Sequence, residues 1–222
     1  MRFDLAMVTV IRGLRRRTGS RRVEVELSDG RSLTLAPLIA AELHRGQTLG
    51  AEDLERLRSR DEEESVLQGC LALIARRARS RTEIRQYLRR RKVDAAVAER
   101  VLNRLGERGL VDDADFARSW VENRLALHPR SARALGQELR LKGISPELAA
   151  RALAGVDEEE AAMRLARSKA ARWRDCGKRE FERRLGSYLA RRGFSFEIIH
   201  SVLDGLYGEL RSKDSGSEGG TA

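Results

Sequence analysis

The side chains best able to engage a ligand in this sequence are cations, and they are clustered. Arg76, Arg77, Arg79, Arg81, Arg85, Arg89, Arg90, Arg91 and Lys92 fall in one stretch whose only acid is Glu83. Arg81, Arg85 and Arg89 step by four, so they share one side of a helix. Arg130, Arg133, Arg140 and Lys142 form a second group, and Arg183, Arg184, Arg191 and Arg192 a third. Guanidinium and ammonium groups at this density suit the phosphates or carboxylates of a long polyanion. Part of the pattern has a local explanation. Arg91, Lys142 and Arg192 each close a helical segment, where a cation offsets the helix dipole by roughly 0.3–1 kcal/mol. The crowding at 76–92 exceeds what that accounts for, and it reads as a binding surface.

Groups that make or break bonds are not arranged for it. Gly177-Lys178 lacks the earlier glycine of a phosphate-cradling loop. His44, His128 and His200 are scattered, and none sits at metal spacing from another histidine or a cysteine. The carboxylates gather at helix starts, where capping explains them. A non-enzymatic protein with no cofactor and no metal is predicted. Phe116, Trp120 and Trp173 could stack on bases, but their helical spacing among apolar neighbours marks them as core.

A net charge of +10 in a chain of 222 residues draws it to nucleic acid, an anionic membrane or an acidic protein surface. No apolar run approaches the ~20 residues of a membrane span, and Met1 to Ile11 carries no secretion signal. Cys70 and Cys176 stand far apart, as in a protein of the reducing cytoplasm. A monomer without membrane contact is expected.

Two kinds of element must carry these residues. In the first fifty, Val8 to Ile11 is β-branched, and Val23–Leu27 and Ser32–Leu35 alternate apolar and polar around Asp29-Gly30. That is a hairpin signal, and a small three-stranded sheet is predicted. A short helix, Leu38 to His44, opens at Pro37 and ends at Gly46.

Beyond Ala51 the periodicity is helical throughout, and it repeats. Ile84, Leu88, Val97, Val101 and Leu102 return as Leu135, Leu139, Leu148, Ala152 and Leu153, then as Leu185, Leu189, Ile198, Val202 and Leu203. Self-similarity at a fixed period marks stacked units. The predicted fold is mainly α: tandem three-helix repeats stacked into an elongated, curved array, with a small N-terminal α+β extension. The divisions are 1–50, then repeats at 51–108, 112–155 and 157–210, then a disordered tail at 211–222. Thr82 is read as the cap of its helix. Gly143 and Gly193 end the first helix of each later pair in a left-handed turn. Lys92 holds the same position in the first pair, at a cost of ~1 kcal/mol, so a differently built turn is predicted there. The pairs resemble helix-turn-helix spacing. Their second helices, however, start Asp94-Ala95-Ala96, Ser145-Pro146-Glu147 and Ser195-Phe196-Glu197, which suits no groove reading.

These residues together resemble the RecX family. The likeness rests on Gly109-Leu110-Val111-Asp112-Asp113, Phe116-Ala117, Trp120, Pro129-Arg130-Ser131, Glu138-Leu139 and Lys142-Gly143-Ile144-Ser145. Leu189-Ala190-Arg191-Arg192-Gly193-Phe194 with Glu197-Ile198 completes it. The resemblance implies tandem three-helix repeats that bind the RecA recombinase, usually as a filament on single-stranded DNA. Such proteins limit filament growth, ATP hydrolysis and strand exchange in recombination and repair, and some members bind DNA directly. The rival reading is a non-specific nucleic-acid-binding protein without a recombinase partner, and a third is a purely structural scaffold.

Overall fold

The computed structural model describes residues 8–16, 19, 22–173 and 176–215. The chain forms two compact units. One holds the segments through Arg79 and from Ile84 to Leu110; the other holds Ser80–Glu83 and everything from Val111 on.

The first unit opens with a sheet. Strands β1 (Thr9–Arg16), β2 (Val23–Leu27), β3 (Ser32–Leu35) and β4 (Thr48–Leu49) run antiparallel in the order β3-β2-β1-β4. The Asp29-Gly30 turn pairs Val23 with Leu35 and Glu26 with Ser32, and Gly30 takes φ 83°. The sheet has four strands where three are predicted. β4 is only two residues long, too short to show alternation, and is held by pairing with Thr9 and Val10. Helix α1 (Pro37–Ala40) is shorter than predicted; turns lead on to Gly46 at φ 86°. Ile11, Val25, Leu27, Leu35, Ile39 and Leu49 form a core with Leu54 and Leu57. Those last two lie on α2 (Ala51–Ile74), so the sheet is tied to the helical part by burial of one helix face.

The same unit carries most of α3 (Arg81–Arg90) and all of α4 (Ala95–Glu107). Ile84, Leu88, Val101, Leu102 and Leu105 are buried, as are Leu67 and Cys70 of α2. Asp94 caps α4, accepting from the N–H groups of Ala96 and Val97. Arg100 and Arg104 reach Glu63 at 2.8 and 3.2 Å and hold its carboxyl below the ordinary range, Arg100 contributing most.

The turn after α3 corrects the prediction. Lys92 adopts φ 54°, and Val93 N–H donates to Leu88 O at 3.2 Å. In the later turn Gly143 has φ 77°, and Ile144 N–H donates to Leu139 O at 3.1 Å. The turns are built alike. The Lys92 side chain is exposed, so only the left-handed strain must be met there.

The second unit holds α5 (Asp113–Leu127), α6 (Ala132–Leu141), α7 (Pro146–Leu153), α8 (Glu158–Ala170), α9 (Lys178–Ala190) and α10 (Phe196–Ser215). Asp112, Ser131, Ser145 and Asp157 cap their helices through side-chain oxygens. Phe116 stacks on Trp120 at 5.7 Å over a core of Ala117, Val121, Leu135, Leu139 and Ile144. A second core gathers Ala162, Leu165, Phe181, Leu185, Leu189, Phe194 and Val202, with Trp173 and Tyr188 edge to face at 6.2 Å. α10 continues to Ser215, past the predicted end at Leu210. The rest of the predicted tail, 216–222, lies outside the described residues.

Candidate functional site

Within the second unit one joint is built twice. Ser80, not Thr82, caps α3: its Oγ accepts from Glu83 N–H at 3.1 Å and donates to Lys142 O at 2.7 Å. Thr82 instead lies against Gly143. Asp113 Oδ1 takes the Arg81 N–H at 2.8 Å. At the second joint Ser131 Oγ accepts from Ala134 N–H at 3.1 Å, and Ser131 N–H donates to Arg192 O at 3.2 Å. Glu158 Oε1 takes the Ala132 N–H at 3.1 Å. Each helix start is thus capped once by its own serine and once by an acid of the following lead helix. The turn ahead of Gly143 or Gly193 leans on that serine. These contacts satisfy amide groups that a helix start leaves open. The matching serines at 80 and 131 are a signal in the repeat register that cation counting overlooks.

The predicted binding residues divide into paired and unpaired. Arg85 is bonded to Glu99 at 3.0 Å and Arg91 to the Tyr87 hydroxyl at 2.6 Å. Arg77 Nη1 donates to Ala78 O at 2.9 Å. Arg183 and Arg184 both bind Glu180 and hold its carboxyl below the ordinary range, Arg184 foremost. Arg192 covers the Tyr188 ring at 5.3 Å, as Arg91 covers Tyr87 at 5.5 Å. Among the described residues no ion pair engages Arg76, Arg89, Arg90, Arg133, Arg140 or Arg191, and all six are exposed. Arg89 and Arg90 end α3; Arg133 and Arg140 flank a shallow cleft over Ile144 and Pro146. Arg81 belongs to the second unit and Arg85 and Arg89 to the first.

Arg130 and Lys142 are engaged within the fold. Glu138 Oε2 accepts from Trp120 Nε1 at 2.9 Å and Arg124 Nε at 2.8 Å, while Arg130 reaches Oε1 at 3.0 Å. Lys142 Nζ lies 2.7 Å from Glu83 and 4.9 Å from the Trp120 ring centroid. Glu138 is the hub that a search for cations does not find. It sits in the predicted Glu138-Leu139 pair, and its role follows from three donors converging on it. Gly109, with φ 66°, ends α4, and Asp112 and Asp113 serve the two caps described above. Leu139 and Leu189 are fully buried.

Among the described residues no group of His, Cys, Asp or Glu is placed to hold a metal ion. No described helix is long and apolar enough to cross a membrane. What the geometry offers is a set of exposed cations on helices, with two serine-capped joints in the second unit. That defines a tandem three-helix-repeat protein with a small antiparallel sheet at its start.

The chain belongs to the RecX family. Residues 67–105 match the family's first three-helix domain, 112–153 its second and 157–203 its third. Regulatory protein RecX of Mycolicibacterium smegmatis is 40% identical over 151 residues, covering 65% of this chain and 80% of that protein. The Mycobacterium ulcerans protein of the same name is 43% identical over 149 residues, covering 65% and 85%. A crystal structure of regulatory protein RecX shares the fold with TM-score 0.69 at 21% identity, over 88% of this chain and 99% of the other. RecX from Lactobacillus salivarius gives TM-score 0.58 at 23% identity, over 66% and 97%. The chain is therefore a member of a family of regulatory proteins, with the mainly helical repeat fold of that family.

Proposed function

We propose that this chain binds the RecA recombinase as a filament on single-stranded DNA and restrains filament extension, ATP hydrolysis and strand exchange. It does so in the cytoplasm, as a monomer, by occupying surface and without a reaction of its own. The observation that supports this most is the ordered succession of three family repeats, each of which carries exposed arginines. Arg89 and Arg90 lie in the first, Arg133 and Arg140 in the second and Arg191 in the third.

Repeated cations suit a repeated anionic partner. Weak contacts on successive protomers add through effective concentration, so a filament is held more tightly than one free protomer. Side chains at helix ends also cost little to present, because their backbones are already fixed.

Co-sedimentation tests this reading. The chain is expected to pellet with recombinase filaments on single-stranded DNA, and to bind free recombinase and bare DNA much more weakly. Equal recovery with bare DNA and with filaments would favour the non-specific nucleic-acid-binding rival and overturn the proposal.

A further inference from the structure

The two joints of the second unit carry different charges at matched positions. Arg124 and Lys169 each lie twelve residues past the cap of their lead helix, Asp112 or Asp157. Lys142 and Arg192 each precede the turn glycine, and Glu138 and Tyr188 each precede the buried leucine, Leu139 or Leu189. Glu83 and Ala134 correspond in the same way, just before Ile84 and Leu135. At the first joint, therefore, two cations meet two carboxylates, Glu138 and Glu83. At the second both cations are kept as Lys169 and Arg192, and both carboxylates are replaced, by Tyr188 and Ala134. Arg164 adds a further cation, with Nη2 donating to Leu125 O.

The result is a cleft of about 470 Å³, open to solvent, bordered by Leu127, His128, Arg164, Lys169, Tyr188 and Arg192. Among the described residues no carboxylate lines it. Like charges gathered in a concave, partly apolar wall focus a positive potential and favour an external anion. The Arg192 guanidinium covers the Tyr188 ring at 5.3 Å, with Nη2 3.2 Å from its hydroxyl. An aromatic ring with a guanidinium over it, beside further cations, suits a base and its phosphate together. Leu127, 71% exposed, supplies an apolar rim.

We propose that this cleft binds a nucleotide unit of single-stranded DNA. The phosphate lies among Arg164, Lys169 and Arg192, and the base lies against the Tyr188–Arg192 pair. This goes beyond the recombinase reading by placing a DNA contact at named side chains of one cleft. The first joint is closed to such a ligand, since Glu138 and Glu83 already fill the anion's place.

The test restores the lost carboxylate. Tyr188→Glu is compared with Tyr188→Phe and with Ala150→Glu, a control at an exposed position of α7. The readout is fluorescence anisotropy of a labelled oligothymidylate, titrated with the full chain at several salt concentrations. Tyr188→Glu is expected to weaken binding about tenfold or more and to flatten its salt dependence, with the other two variants within about threefold of the parent. Equal losses in Tyr188→Glu and Ala150→Glu would overturn the proposal, since net charge alone would then be responsible. If circular dichroism shows that Tyr188→Glu has lost helix, Lys169→Gln decides: weaker binding supports the site and parental binding overturns it. Reduced recombinase inhibition at unchanged oligonucleotide affinity would also overturn it, and would assign the cleft to an acidic protein side chain.

Discussion

Gly143 stands so close to Thr82 that a Cβ added to it would lie 2.1 Å from Thr82 Oγ1 and 2.4 Å from its Cβ. Glycine is needed there for space as well as for its φ of 77°. Lys92, in the equivalent turn, has the same handedness and an exposed side chain. Opposite effects follow. Gly143→Ala is expected to destabilise by about 2–4 kcal/mol, combining left-handed strain with overpacking. Lys92→Gly is expected to stabilise by about 1 kcal/mol by relieving strain alone. Urea unfolding followed by circular dichroism measures both; equal tolerance of alanine at 143 would contradict the joint.

Glu138 holds Trp120, Arg124 and Arg130 with one carboxylate. Removing it leaves two half-exposed guanidinium groups and a part-buried indole N–H without their acceptor. Glu138→Ala is expected to cost about 1–3 kcal/mol, more than loss of an exposed pair such as Arg85–Glu99, at about 0–1 kcal/mol. Comparing Glu138→Ala with Glu99→Ala by urea unfolding checks the order; equal losses would contradict the hub.

Much of this fold is legible in the residues because it rests on local rules repeated in register. Leu135, Leu139, Leu185 and Leu189 are buried at the positions their period assigns. Asp94, Asp112 and Asp157 cap the helices they precede. What escapes notice depends on contacts between residues distant in the chain. Ser80 rather than Thr82 caps α3 because Ser80 is also tied to Lys142 O, sixty-two residues away. The Lys92 turn repeats the glycine turns because nothing crowds its side chain. The basic groups are visible as a density, but which cations are already neutralised appears only with partners in place. Lys142 is matched by Glu83 fifty-nine residues away, while Arg89 and Arg90, among the described residues, are not ion-paired.

That sorting changes which substitutions should matter. Arg89→Glu with Arg90→Glu is expected to lower recombinase inhibition severalfold and to reduce its salt dependence, with helix content unchanged. Arg183→Glu with Arg184→Glu also disrupts the pairing with Glu180. Its loss of inhibition is therefore expected to come with a measurable fall in stability. Inhibition assays at two ionic strengths, beside thermal melts, distinguish the two. Parental inhibition by the Arg89/Arg90 variant would return these residues to ordinary solvated charges.

The hairpin turn provides a pH marker. Arg31 donates side-chain and backbone hydrogen bonds to Asp29 and lowers its carboxyl pKa to about 2. A pKa lowered in the folded state means that the pairing is fully present above the ordinary carboxylate range and is lost as pH falls toward about 2. NMR titration of the Asp29 carboxyl carbon is expected to give a midpoint near that value, and Arg31→Ala to raise it. An ordinary midpoint in the parent chain would contradict the turn geometry.

The most direct test is recombinase ATP hydrolysis on saturating single-stranded DNA while this chain is titrated in. Inhibition is expected at amounts well below one chain per protomer, as blocked filament extension requires. Loss of hydrolysis only when enough chain is present to coat the DNA itself would contradict the account.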